Sequence, residues 1–172
     1  MRKVILGLAV SLDSYIEGPN GEYDWCFTDQ DYGMKEFFKR IDAMFIGRKS
    51  YELMQSIGDE SVPGMPKLKE YVFSTTMKDV KPGAEIIREN IEEEVKKIKN
   101  QPGKDIWLFG GASLTSSLLN AGLIDEIGMA VHPILLGSGK PLFSNIQKRI
   151  PLKLADSKTY NTGLVYLTYE VL

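Results

Sequence analysis

Residues 4–10 read Val4-Ile5-Leu6-Gly7-Leu8-Ala9-Val10, an unbroken apolar run of seven. Seven residues are few for a helix, and no polar residue alternates through them. The run therefore predicts a strand buried on both faces, which requires a largely parallel sheet with helices on either side.

Downstream, Ser11 to Gln30 reads as a long loop broken by Gly18-Pro19-Asn20-Gly21. A loop of that length inside a compact domain is functional or mobile. Met34, Phe37, Phe38 and Ile41 then fall on one helical face. Ala43 to Ile46 predicts a strand, and Gly47-Arg48-Lys49-Ser50 opens a helix that carries Tyr51, Leu53 and Met54 and stops near Gly58. Pro63, Gly64 and Pro66 mark a loop. Tyr71 to Phe73 and Ala84 to Ile87 predict strands. Ile91 to Asn100 predicts a helix with Ile91, Val95 and Ile98 inward and with Glu92–Lys96 and Glu93–Lys97 paired on its surface. Ile106 to Phe109 is a strand ending at Gly110-Gly111, Ala112 to Asn120 a helix closed by Gly122, and Glu126 to His132 a further strand. Leu152–Ser157 and Leu164–Val171 flank Asn161-Thr162-Gly163 and predict an antiparallel hairpin. Met44, Met54 and Met129 read as core. The sum is a three-layer α/β domain spanning residues 1–172.

Three strand ends share one chemistry. Gly47-Arg48-Lys49-Ser50, Ser74-Thr75 and Gly110-Gly111-Ala112-Ser113 each follow a predicted strand, and two of them open helices. Ligands of open α/β sheets sit at the carboxyl ends of strands, where helix N-termini offer N–H groups to anions. Taken singly, each motif reads as an ordinary turn. Three at equivalent ends, with glycine for close approach and Arg48 and Lys49 for charge, point to a nucleotide with several phosphates. Two generic phosphate motifs fail. Gly139-Lys140 is followed by Pro141 where a P-loop needs Ser or Thr, and Ile134 stands where its first glycine belongs. Gly137-Ser138-Gly139 lacks the third glycine of the dinucleotide fingerprint, since position 142 is Leu.

These motifs, in their order, resemble a known family. Ala9-Val10-Ser11-Leu12-Asp13-Ser14-Tyr15-Ile16 with Trp25 downstream, Phe45-Ile46-Gly47-Arg48-Lys49-Ser50-Tyr51, Val72-Phe73-Ser74-Thr75-Thr76, Trp107-Leu108-Phe109-Gly110-Gly111-Ala112-Ser113-Leu114 and the stretch from Pro133 to Phe143 together look like the dihydrofolate reductase superfamily. The nearest group is the reductase domain of riboflavin-biosynthesis enzymes, and the resemblance covers essentially the whole chain. It implies a dihydrofolate reductase-like fold with a mostly parallel central sheet and an antiparallel C-terminal hairpin. It also implies NADPH as cofactor. By resemblance, Gly47, Arg48, Lys49 and Ser50 with Gly110, Gly111, Ala112, Ser113 and Leu114 hold the pyrophosphate and nearby ribose. Ser74 and Thr75, with Arg48, lie near the adenosine 2′-phosphate. Ala9, Val10 and Ile16 form the nicotinamide wall, and Asp13 and Trp25 border the substrate cleft. The implied activity is reduction of a pterin, pyrimidine or flavin-precursor heterocycle, as in 5-amino-6-(5-phosphoribosylamino)uracil reductase. The alternatives are a nucleotide-binding module without turnover and a true dihydrofolate reductase.

The acid stays open at this level. Folate-type members carry one carboxylate after the tryptophan. Counting back from Gly47 selects Asp31, whereas anchoring on Phe38-Lys39-Arg40 selects Met34. Asp29 and Asp31 read equally well as caps of the following helix, and Asp13 is the rival acid. Cys26 reads as a small filler and His132 as structural or as a subunit contact.

Composition narrows the classes further. Lys plus Arg total 21 against 23 Asp plus Glu, for a net charge of −2, which provides no basic footprint for nucleic acid or an anionic membrane. The single cysteine and single histidine exclude an internal disulfide and a multi-histidine zinc site, and no metal is expected. The longest apolar runs fall far short of the roughly 20 residues of a membrane helix, so a cytoplasmic location is expected. The partners expected are a small heterocyclic substrate and a second copy in a homodimer. The alternation of large apolar side chains on both faces of residues 164–171 gives the dimer an independent reason.

Overall fold

A computed structural model describes residues 1–58, 62 and 64–172; Pro63, expected in a loop, lies outside the described residues. The elements run β1 (Val4–Ser11), β2 (Tyr15–Glu17), α1 (Met34–Arg40), β3 (Ile41–Gly47), α2 (Arg48–Ile57), β4 (Lys69–Phe73), β5 (Glu85–Ile87) and α3 (Ile91–Asn100). Then follow β6 (Asp105–Gly110), α4 (Ala112–Asn120), β7 (Glu126–His132), β8 (Lys140–Pro141), β9 (Leu152–Thr159) and β10 (Val165–Val171).

The main sheet has the order β5-β4-β3-β6-β1-β7-β10-β9. Its first five neighbour pairs are parallel, and the β7–β10 and β10–β9 pairs are antiparallel. β1 lies between β6 and β7, with Val4 opposite Ile106 and Leu6 opposite Ile127, as its doubly buried sequence requires. Side chains alternate across the sheet. On one face, Val4, Leu6, Val10 and Leu108 pack with Val95 and Ile98 of α3 and Leu114 and Leu118 of α4. On the other, Met44, Ile46, Val72 and Trp107 pack with Phe38 of α1 and Tyr51 and Met54 of α2. This is a three-layer fold, in which each fully buried Leu or Ile contributes roughly 1.5–3 kcal/mol.

Ile41 is not the last residue of the α1 face; it opens β3 in an extended conformation (φ −114°, ψ 153°), because α1 runs into the strand without a connecting loop. In α3, Lys97 pairs with Glu94 at 2.6 Å rather than with Glu93, while Lys96 stands 3.9 Å from Glu92. The long loop after β1 contains the short strand β2, which pairs with β8. Met129 is half-buried at the margin of its core rather than inside it. The hairpin has the expected place, with Gly163 at φ +88° in its turn.

Candidate functional site

Two helices begin side by side at the carboxyl ends of neighbouring parallel strands. β3 ends at Gly47, where α2 begins; β6 ends at Gly110, and α4 begins two residues later. Neither Gly47 nor Gly111 supplies a side-chain cap to its helix. Among the described residues no side chain accepts from the first-turn N–H groups of either helix, and both helices open at the same edge of the sheet, a ready site for an anion. Glycine keeps that space open. A Cβ on Gly47 would stand 3.6 Å from the Gly110 carbonyl oxygen and 4.0 Å from the Gly111 nitrogen, and one on Gly111 would stand 3.7 Å from Ser50 Oγ. Gly110 (φ +129°) and Gly111 (φ +45°) hold conformations that disfavour other residues. So Gly47, Ser50, Gly110 and Gly111 converge, as expected. Ser113 and Lys49 are exposed beside them. Ala112 and Leu114 are buried, so Leu114 offers the cradle only its backbone.

The second cluster adjoins the first. Arg48 donates from Nη1 to Thr76 Oγ1 at 2.8 Å, and its Nε lies 3.9 Å from Glu52. Ser74 Oγ accepts from the N–H groups of Thr76 (3.2 Å) and Met77 (2.9 Å), which shapes the turn after β4 and leaves Thr75 exposed at its crest. Thr76, rather than Ser74 or Thr75, is the hydroxyl that orients Arg48. Its position at the end of the polar run was the only local signal.

The third feature is a trough of small residues down the middle of the sheet, on the α1 side. Alternation puts Gly7, Ala9 and Ser11 of β1 on this face, with Gly128, Ala130 and His132 of β7 opposite them. Trp107 and Phe37 close on Gly7, the Trp107 indole N–H donating to the Gly7 carbonyl at 2.9 Å. The Tyr166 hydroxyl occupies the place a Cβ would take on Gly128. Ala9 and Ala130 remain half-buried between these plugs and the strand ends. Ala9 lies on this open face. Val10 does not: its side chain lies in the core on the opposite face, and Ile16 packs against that same core. A strand apolar at every position gives no local cue to which of Ala9 and Val10 faces which layer.

At the carboxyl end of the trough, His132 is buried against the Trp25 ring (centroids 5.3 Å apart) and the Phe27 ring (5.0 Å). Trp25 is half-buried, its ring edge-on to His132 at the end of the trough. Burial first, then the charge of Asp24, pushes the Cys26 thiol up to about 11, which leaves it protonated and unreactive at neutral pH.

The acids are already engaged by hydrogen bonds. Asp13 accepts from the Ser11 hydroxyl (2.6 Å) and from the N–H groups of Leu136 (3.1 Å) and Gly137 (2.8 Å). These bonds, Ser11's first, hold its carboxyl below the ordinary value. Asp31 accepts from the N–H groups of Gly33 and Lys35, each at 3.2 Å, and so caps α1. Asp29 accepts from the Tyr32 hydroxyl at 2.6 Å. Gly139 lets the backbone press against Glu17, so the Gly137-Ser138-Gly139 segment serves a close crossing.

With this geometry in view, comparison with known proteins places the chain. It is 46% identical over 178 residues to Bacillus subtilis (strain 168) YyaP, an uncharacterized protein, covering 98% of this chain and 95% of that one. It is 30% identical to the uncharacterized YwjB of the same organism, covering 95% of each. A crystal structure from Shewanella sp. PV-4, named for riboflavin biosynthesis, superposes with a TM-score of 0.86 at 25% identity over 100% of this chain and 99% of that one. The Thermotoga maritima diaminohydroxyphosphoribosylaminopyrimidine deaminase/5-amino-6-(5-phosphoribosylamino)uracil reductase shares the fold, with a TM-score of 0.77 at 12% identity, over 99% of this chain and 57% of its own length. The model of the RibD C-terminal domain matches residues 2–166. On that match and the dihydrofolate reductase-like architecture above, the chain belongs to the RibD C-terminal domain family.

Proposed function

We infer that the chain is an NADPH-dependent reductase that delivers hydride to a planar nitrogen heterocycle of the pterin, pyrimidine or flavin-precursor class. The observation that carries this reading is the pair of uncapped helix N-termini at adjacent strand ends, with the Arg48 guanidinium and Thr76 beside them. That donor set fits a pyrophosphate next to a third phosphate, which is what NADPH presents. Gly47, Ser50, Gly110, Gly111 and the first-turn N–H groups of α2 and α4 would hold the pyrophosphate, and Arg48 with Thr76 the 2′-phosphate. Hydride chemistry comes with the bound cofactor. The chain's own part is to orient it and to present Ala9 and Ala130 as a flat floor. A 5-amino-6-(5-phosphoribosylamino)uracil reductase-like activity is the first substrate to assay, given the name of the Thermotoga maritima relative.

A second reading, a nucleotide-binding module without turnover, is favoured by the engagement of Asp13 and Asp31 with backbone N–H groups. The same engagement of Asp31 places true dihydrofolate reduction third. Turnover of any heterocycle separates the first two readings. In either, the partners are small molecules and a second copy of the chain, with neither nucleic acid nor membrane.

Fluorescence titration with NADPH and NADH tests the cofactor. A charge-assisted phosphate contact contributes about 1.5–3 kcal/mol, so NADPH should bind at least tenfold more tightly, and Arg48→Ala should erase the difference. Equal affinities in the unmodified protein would overturn the assignment.

A further inference from the structure

We propose that His132 is a positioning residue, which latches the Trp25–Phe27 segment at the mouth of the small-residue trough and releases it on protonation. Phe27 donates its backbone N–H to His132 Nε2 at 3.1 Å, across 105 residues of sequence. The other ring nitrogen, Nδ1, faces the Ala130 carbonyl oxygen at 2.9 Å. A carbonyl only accepts, so Nδ1 carries the hydrogen; Nε2 is then the lone pair that receives Phe27. The latch thus exists in one protonation state and one tautomer. A proton added to Nε2 would set N–H against N–H and break it.

The surroundings bias the ring the same way. His132 is 3% exposed, and its pKa lies below the ordinary 6.5, chiefly through burial, against which the Ala130 and Val10 carbonyls act. The groups packed on it are the Val10 carbonyl from β1, the Ala130 carbonyl from β7, and the Trp25 and Phe27 rings. The neighbouring titratable groups of the segment are the Cys26 thiol, which senses Asp24, and the Tyr32 hydroxyl, which bonds Asp29. Among the described residues, burial and the Val10 and Ala130 carbonyls are what act on the ring's titration. The far end of the segment is held separately, by Gln30 on Asn161 (3.1 Å) and Tyr32 on Thr162 (3.2 Å) in the β9–β10 turn. One end is therefore held to the turn through amide and hydroxyl groups, and the other by a titratable catch.

The sign follows from linkage. With the segment released, the solvated ring titrates near its ordinary value; with the segment latched, it titrates lower. Acidification thus favours the released form, starting near pH 6.5 and continuing down to the lowered value, and above that window the latch is fully closed.

The test uses the whole chain without cofactor, so it stands whether or not the reductase reading holds. Backbone amide exchange at Phe27 is followed by NMR from pH 8 to 5, corrected for intrinsic rates, alongside the ring proton titration of His132. About tenfold protection is expected above pH 7, lost in step with the ring. His132→Gln, whose side-chain carbonyl accepts without titrating, should keep the protection at every pH, and His132→Leu should lack it at every pH. Protection that ignores the ring titration in the unmodified protein, or that falls equally in His132→Gln, would overturn the proposal.

Discussion

At Asp13, both carboxylate oxygens are already taken: one receives the Ser11 hydroxyl and the Leu136 N–H, the other the Gly137 N–H. The residue ties the end of β1 to the 133–139 loop across more than a hundred positions. Asp31 does local work instead, capping α1 from two residues before its formal cap, Gly33. The two acids should respond differently to the same change. Asp31→Asn should leave turnover and stability near those of the unmodified protein, because Asn caps about as well as Asp. Asp13→Asn keeps only one acceptor oxygen and should loosen the loop, seen as faster amide exchange at Leu136 or Gly137. Because the carboxyl of Asp13 is depressed, its stabilising contribution is present above the ordinary carboxylate pKa and fades as pH falls through the lowered value. Between pH 5 and 8 the loosening should therefore not vary. A large loss of turnover in Asp31→Asn, with the fold intact, would return that residue to the folate-type role.

The elements that build the site are α2 and α4, set side by side because β3 and β6 are neighbours in the sheet. Gly47 offers the cleanest probe of their shared N-terminal space. Its backbone is ordinary extended chain (φ −75°, ψ 155°), so a side chain there adds no strain. Gly111, at φ +45°, would confound binding with folding. Gly47→Ala should cost about 0.5–1 kcal/mol of stability, equivalent to a few degrees of Tm. NADPH affinity should fall about tenfold as the methyl group intrudes between the two turns. Titration beside thermal melting reads both, and unchanged affinity would remove the anion from this place.

Over the whole molecule, the helices cover both faces of the parallel strands and leave the antiparallel end bare. β9 is exposed along its length, with Leu152 at 40% and Leu154 at 52% exposure, and every residue of β10 is only half-buried. An exposed edge strand with apolar side chains is covered in most proteins. A second copy is the expected cover. Sedimentation at micromolar concentration should give twice the mass of the chain, and Leu154→Lys should return it to one; a single-chain mass without the substitution would refute the dimer.

The parallel sheet was readable from residues 4–10 because a run apolar at every position has no stable place except between two layers. The cradle was readable because close approach and positive φ demand glycine, and glycine shows in a sequence. The hairpin announced itself through its turn. The parity of β1 was hidden by the same run that revealed the strand: with apolar residues on both faces, nothing local distinguishes Ala9 on the trough from Val10 in the core. The contacts that shape the site were hidden for a second reason. Phe27 meets His132 across 105 residues, Gly137 meets Asp13 across 124, and Thr76 meets Arg48 across 28. Local propensity and periodicity carry no trace of such pairs. They arise only when the sheet order brings the ends of β1, β7, β3 and β4 to one edge, and that order is a property of the packed layers.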